Sequence, residues 1–115
     1  MLVACALLGS VSLSATEVPV TPGELAANPD KYDGKHVTVR GFVVIGSHER
    51  NIFDSKRGYE QAGATCLGLL GTKSFVSHFR KRVETVKGTF HKALCGPNDI
   101  CLLWCSAEGI EVDEQ

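Results

Sequence analysis

Polar and apolar residues alternate between positions 36 and 45, in the run HVTVRGFVVI. Val37, Val39, Val43 and Ile45 fall on one side of this run, and such alternation predicts a β-strand with one buried face. Gly41 interrupts that side near its middle. Because glycine permits a sharp bend, we predict the strongly curved strand that a small barrel requires.

Four further runs of strand-forming residues follow, and turn-forming segments separate them. We predict strands over Arg50–Ser55, Thr65–Leu70, Val83–Leu94 and Ile100–Ala107. The fourth of these five strands has Gly88 near its centre. Val83 is out of phase with Val86 and Phe90, which predicts a β-bulge. Residues 109–112 are predicted only as a short lead into a frayed acidic end.

Signals for helix are few and short. Thr21 can cap a helix that begins at Pro22, and Pro29 ends that helix near Ala27. We predict a turn over residues 30–35, a polar loop over residues 56–64 and a helical turn over residues 73–81. Five strands with so little helix favour an all-β barrel.

Composition limits the class of protein. The chain has 115 residues, of which 12 are basic and 13 acidic, giving a formal net charge of −1. That length suits one domain. The near-neutral charge lacks the basic excess of a protein that coats DNA or RNA. Hydrophobic residues make up 43% and charged residues 22%, fractions that exclude a disordered chain.

The first fifteen residues, MLVACALLGSVSLSA, contain no charged side chain. They are too short to span a bilayer and resemble the apolar part of a secretory signal, with cleavage near Ala15. We therefore expect a single domain over residues 16–115, in the periplasm or secreted, with no membrane span. No basic residue precedes the apolar run, so a buried terminal strand or helix is the alternative. We expect no lipid anchor at Cys5, because it precedes most of the apolar stretch.

Cysteine usage agrees with export. Setting aside Cys5, the chain has four cysteines, Cys66, Cys95, Cys101 and Cys105. An even number in a small exported domain predicts two disulfides, for which three connectivities exist. Zinc binding is the competing interpretation. It is disfavoured because the last three cysteines are separated by five and three residues, without a CxxC pair.

Two stretches resemble a known family. The string LAANPDKYDGKHVTVRGFV, residues 25–43, is similar to the NPxxYxGKxVxVxG entry of small exported single-domain bacterial OB-fold proteins, which are related to the anticodon-binding-like OB group. Lys87-Gly88-Thr89-Phe90 resembles their fourth strand. The resemblance implies a five-stranded OB-fold-like barrel with strand order 1-2-3-5-4-1, a short N-terminal helix, and a short helical turn between strands three and four. Both motifs encode turns and bends, so they imply fold and no activity.

The resemblance also implies a disulfide pairing. If strands four and five form a hairpin centred on Asn98, Cys95 lies opposite Cys101, close enough to bridge. In the implied order, strand three lies beside strand five. This arrangement brings Cys66 within reach of Cys105.

The sequence predicts no catalytic site, metal or cofactor. It has no GxSxG or phosphate-binding loop motif. Its four histidines lack the spacing that favours a metal site, so we expect them to be solvated on the surface; they are His36, His48, His78 and His91. Trp104 is expected in the core or the barrel wall.

Ligand binding is the expected activity, because OB domains bind oligonucleotides or oligosaccharides across strands two and three and the adjoining loops. The candidate binding residues are the cations and aromatics near that face, namely Arg50, Phe53, Lys56, Arg57, Tyr59, His78, Arg80 and Arg82. Stacking needs exposed aromatics, for which Phe53, Tyr59 and Phe75 qualify; the competing and favoured interpretation is a solvated basic turn beside ordinary core phenylalanines. The sequence therefore predicts an exported, non-enzymatic binding module for a peptide, glycan or other component of the cell envelope. Single-stranded nucleic acid is one alternative ligand, and a metal- or thiol-dependent activity is the other alternative.

Overall fold

Five strands form the body of the protein. The structure is a computed structural model that describes residues 18–96 and 101–113. The strands are β1 (His36–Ile45), β2 (Arg50–Phe53), β3 (Cys66–Leu70), β4 (Arg80–His91) and β5 (Gly109–Val112). The predicted signal segment 1–15, with Cys5, and the predicted hairpin centre at Asn98 lie outside the described residues.

The strands close into a barrel in the order β1-β2-β3-β5-β4. β1 pairs with β4 along its whole length, from His36 opposite Thr89 to Ile45 opposite Arg80. β3 and β5 pair in parallel, and the other neighbours pair antiparallel. The predicted all-β, OB-like barrel is confirmed, including the strand order that the family resemblance implied.

Alternate residues of the strands fill the barrel. The largest side chains with less than 2% exposure include Ile52, Leu67, Phe90 and Ile110. The outer side of β1 is also buried over its second half, where Phe42 and Val44 form a second cluster with Phe53. Gly41 lets β1 approach the end of β2 closely. Any larger residue would place its Cβ 2.5 Å from the carbonyl oxygen of Phe53.

Four short helices occupy the connections, α1 (Pro22–Ala27), α2 (Pro29–Tyr32), α3 (Lys56–Glu60) and α4 (Lys73–Ser77). The predicted cap of α1 is confirmed, since Thr21 Oγ1 accepts from the amide of Glu24 at 3.1 Å. The turn predicted over residues 30–35 is wrong in its first half. Pro29 ends α1 but starts α2, because proline fits the first position of a helix. The turn itself is at Gly34, with φ +78°.

Two other helix predictions need correction. The polar segment 56–64 is not all loop, because Ser55 Oγ accepts from the amide of Gly58 at 3.0 Å and caps α3. The helical turn predicted over residues 73–81 is present but stops at Ser77. The two residues at 80 and 81 already belong to β4, where they pair with β1.

The start of β4 also differs from its prediction. Pairing with β1 is continuous through Val83, which lies opposite Phe42, so the predicted bulge is wrong. Val83 differs in phase because it is on the outer side of the barrel, where it is 51% exposed. The strand begins three residues earlier than predicted, at Arg80, and ends at His91.

The fifth strand was predicted in the wrong place. It lies at Gly109–Val112, and residues 101–108 form an irregular segment that we call the strap. The apolar residues of the strap suggested a strand. The fifth strand is short, and its two apolar side chains, Ile110 and Val112, are buried only because β3 and β4 flank it.

Two disulfides tie the strap to the barrel. Cys66 bonds to Cys105 and Cys95 to Cys101, with Cα atoms 6.3 and 6.1 Å apart. The pairing that the resemblance implied is therefore confirmed. The reasons given for both bonds are wrong, because Cys101 and Cys105 lie in the strap and not in the fifth strand.

Candidate functional site

The outer face of β2 and β3, where ligand binding was expected, carries the strap. Trp104 donates from Nε1 to the carbonyl of Leu69 at 3.0 Å, and a Cβ on Gly68 would lie 2.7 Å from its Cγ. Asn51 is 4% exposed and accepts from the amide of Cys105 at 2.8 Å. Trp104 was expected in the core or the barrel wall, but it lies in the strap, partly buried against the outside of the barrel. Part of the predicted binding face is thus covered by the chain itself.

Helix α3 covers another part of the outer side of the barrel. The Tyr59 ring lies 5.7 Å from the ring of Phe42 and 5.0 Å from that of Phe53, measured between centroids. Phe53 is only 9% exposed and Phe75 only 6%. Both phenylalanines are therefore ordinary core residues, as the favoured interpretation held, because Tyr59 packs on the first and the second belongs to the main core.

Three arginines gather at one end of the barrel, which we call the basic end (Arg50, Arg80 and Arg82). Arg50 and Arg80 both lie opposite Ile45, one on each side of β1. Directly opposed residues share a face of a sheet, and Ile45 is 2% exposed in the core. The two arginines therefore extend from the core side of the strands at the barrel rim, and Arg82 follows two residues along β4.

Arg80 is fully engaged in holding the joint between α4 and β4. It donates from Nη1 to the carbonyls of Phe75, at 2.9 Å, and His78, and it pairs with Glu84 through Nε and Nη2. Its guanidinium lies 4.6 Å from the centroid of the Phe75 ring. With the side chain only 10% exposed, Arg80 positions neighbouring groups and offers no free donor pair.

A groove of about 290 Å³ lies between α4 and the start of β4. Phe75 and Val86 supply its apolar lining, and Ser74, His78, Arg82 and Glu84 supply polar groups. Arg82 is 66% exposed and donates from Nε to Glu84 at 3.0 Å. One carboxylate thus serves two guanidinium groups. The groove carries an excess of positive charge with exposed hydrogen-bond donors.

The eight predicted binding residues divide into two sets. Arg50, His78, Arg80 and Arg82 lie at the basic end or on the groove, whereas Phe53, Lys56, Arg57 and Tyr59 lie in or next to α3. Sequence reasoning missed Glu84 and Ser74. Residues 80, 82 and 84 lie on the same side of β4, because every second residue of a strand shares a face. A strand predicted to begin at Arg80 would therefore have placed Glu84 beside the two arginines.

Two of the histidines expected on the surface are partly exposed and make hydrogen-bond contacts with carboxylates at the other end of the barrel. His36 Nε2 lies 2.7 Å from Asp113 Oδ2, and His91 Nε2 lies 3.0 Å from Glu111 Oε1. These pairs join the end of the chain to β1 and β4. Within residues 18–96 and 101–113, no group of three or more His, Cys, Asp or Glu side chains is placed to hold a metal ion.

One further ion pair fixes helix α2 to the end of β4. Lys92 Nζ donates to Asp30 Oδ1 at 2.8 Å, and this hydrogen bond lowers the pKa of the Asp30 carboxyl. The amide of Lys92 also donates to Asp33 Oδ1 at 2.9 Å. These contacts are structural and lie away from the groove.

Comparisons with known proteins add no functional assignment. The chain matches no protein-family model, no curated protein and no solved structure. In the part of the chain that the structure describes, none of the helices has the length and apolar character needed to cross a membrane.

Proposed function

We propose that the protein is a non-catalytic binding module that takes an anionic group of its ligand in the groove at the basic end. The observation that carries this proposal is the arrangement of Arg82. Its guanidinium is largely exposed, at the mouth of a concave site, and shares its one carboxylate with Arg80. An arginine fork matches a carboxylate or phosphate, and a groove of this size admits one residue of a peptide or one sugar unit.

Export and family membership form part of the proposal. Two disulfides are typical of a protein that acts outside the cytosol, and the closed five-stranded barrel fits the small exported OB-fold group. We infer a periplasmic or secreted protein whose ligand is an anionic peptide, glycan or other envelope component. This ligand would bind beside α4 and not across β2 and β3, because the strap and Tyr59 lie there.

The chemistry of the groove supports binding over catalysis. Catalysis by a nucleophile needs a base within hydrogen-bond reach of it. Ser74 and His78 both line the groove, but within residues 18–96 and 101–113 no hydrogen bond joins their side chains, and the carboxylate of Glu84 is tied to two arginines. The cysteines of the described residues are all disulfide-bonded, which disfavours the thiol-dependent alternative.

The first test removes the exposed cation. We expect Arg82→Ala to weaken binding of a fluorescein-labelled oligoglutamate peptide about tenfold, because a charge-assisted hydrogen bond contributes about 1.5–3 kcal/mol. Fluorescence anisotropy at low ionic strength measures the affinity. Arg57→Ala is the matched control, since Arg57 is an exposed arginine on α3, away from the groove. Equal affinities for all three proteins would contradict the proposal.

The second test changes the shared carboxylate. Glu84→Gln is expected to tighten oligoglutamate binding about threefold or more, because it removes a like charge and frees the Arg82 guanidinium for the ligand. The same titration measures it, and circular dichroism checks that the fold is kept. Weaker binding by a folded Glu84→Gln protein would show that Glu84 contacts the ligand favourably, contrary to the proposal.

Single-stranded nucleic acid remains the second candidate ligand, on a different surface. Phe79 is 65% exposed, and Lys81 Nζ lies 5.2 Å from the centroid of the Tyr59 ring. Surfaces that carry aromatic rings together with cations are typical of base stacking. If this surface binds, oligothymidylate affinity falls steeply with salt and drops in Phe79→Ala but not in Arg82→Ala.

A further inference from the structure

Arg50 carries a partly buried charge that has no ion-pair partner in the part of the chain that the structure describes. Its Nε is buried and makes no hydrogen bond within residues 18–96 and 101–113. None of the ion pairs among these residues includes its guanidinium. The backbone amide of Arg50 donates to the carbonyl of Leu103 in the strap at 3.0 Å.

The position of Arg50 places this charge beside the groove. Arg50 and Arg80 flank Ile45 on neighbouring strands, so their Cα atoms are separated by two strand spacings, on the order of 10 Å. Arg80 forms one wall of the groove. A ligand that reaches from the groove along the rim therefore meets Arg50 next.

Among residues 18–96 and 101–113, no acidic side chain forms an ion pair with Arg50. Burying part of a charged group costs free energy unless an opposite charge or hydrogen bonds offset the loss of water. Glu84, the acidic residue lining the groove, is held by Arg80 and Arg82. An external anion is the group that would offset this cost. Because Nε is buried, it would contact the two Nη atoms of Arg50.

We propose that Arg50 is a second anchor, which binds a carboxylate or phosphate of the same ligand that occupies the groove. The ligand then carries at least two anionic groups. Arg50 and Arg82 are two strand spacings apart across the sheet and two residues apart along it, which sets the anionic groups on the order of 12 Å apart. This inference rests on the proposed function, because the groove supplies the first anchor. It adds that the ligand belongs to the class of polyanionic chains rather than singly charged molecules.

The test uses two probes and two substitutions. Arg50→Met keeps the length of the side chain and removes the charge, and Arg57→Met on α3 is the matched control. Inorganic phosphate is titrated into the protein, and the NMR signal of the Arg50 Nε–Hε group is followed. This signal is observable because the buried proton exchanges slowly with water. The oligoglutamate peptide is titrated by anisotropy with the oxidised protein and with the Arg50→Met, Arg82→Ala and doubly substituted variants.

We expect phosphate to shift the Arg50 signal, and Arg50→Met to weaken oligoglutamate binding about tenfold while Arg57→Met leaves it unchanged. The double variant should lose more than either single variant. The melting temperature of Arg50→Met should not fall, because the substitution removes an unpaired buried donor.

The failures of the two proposals are distinguishable. If Arg50→Met binds oligoglutamate as tightly as the unchanged protein while Arg82→Ala does not, the second anchor is wrong and the groove stands. If Arg50→Met weakens binding and Arg82→Ala does not, the proposed function of the groove is wrong. A phosphate shift at Arg50 with unchanged peptide affinity would show an isolated anion site and overturn the two-anchor ligand.

Discussion

Gly88→Ala is expected to lower the free energy of unfolding by about 3 kcal/mol or more, or to prevent folding. A Cβ at Gly88 would overlap the carbonyl oxygen of Glu111 and lie 2.9 Å from Cγ2 of Ile110. The first of these contacts is with backbone, so it cannot be relieved by rotating a side chain. The β4–β5 pairing that closes the barrel must then separate.

Urea denaturation of the oxidised protein measures this loss. Gly46→Ala is the control, because a Cβ there meets no atom within 4 Å, and we expect it to change stability by about 0.5 kcal/mol or less. Equal stability of the two variants would mean that β5 does not lie against Gly88, and the closed barrel would have to be abandoned.

The largest effect after this one is expected from the bond that anchors the strap. Removing Cys66–Cys105 with two serines should cost about 4 kcal/mol, because it closes a loop of sequence separation 39. Removing Cys95–Cys101, with separation 6, should cost about 2 kcal/mol. The difference follows from loop length in the unfolded chain.

The fluorescence of Trp104 reports whether the strap stays attached to the barrel. The indole packs on Gly68 and donates to Leu69, so loss of Cys66–Cys105 should shift its emission toward longer wavelength. Loss of Cys95–Cys101 should shift it less. Should the two double-serine variants lose stability in the opposite order, the strap would not be anchored chiefly at Cys66.

Local signals predicted most of the barrel. β1 is recognisable because its alternation runs for ten residues, and α1 because Thr21 and Pro22 form a cap together. β5 was misplaced because four residues carry too little pattern by themselves. Ile110 is fully buried only when β3 and β4 flank it, and this contact is between segments far apart in the sequence.

The candidate site was predictable only in part. The cations themselves were identified, but Arg50 and Arg80 come together solely because both pair with Ile45. Phe53 is buried because Tyr59 of helix α3 packs on it. The polar composition of residues 56–64 predicted a loop there and gave no sign of this helix. Sequence therefore indicated the residue types of the site, and strand pairing determined which of them form one surface.

The most direct test of the account is an amide NMR titration of the oxidised protein with oligoglutamate at low ionic strength. We predict shifts in the amide signals of α4, of the first five residues of β4, and of Arg50. Shifts confined to α3 and the strap would contradict binding at the basic end. The same conclusion would follow if oligoglutamate shifted the same amide signals equally in Arg82→Ala and in the unchanged protein.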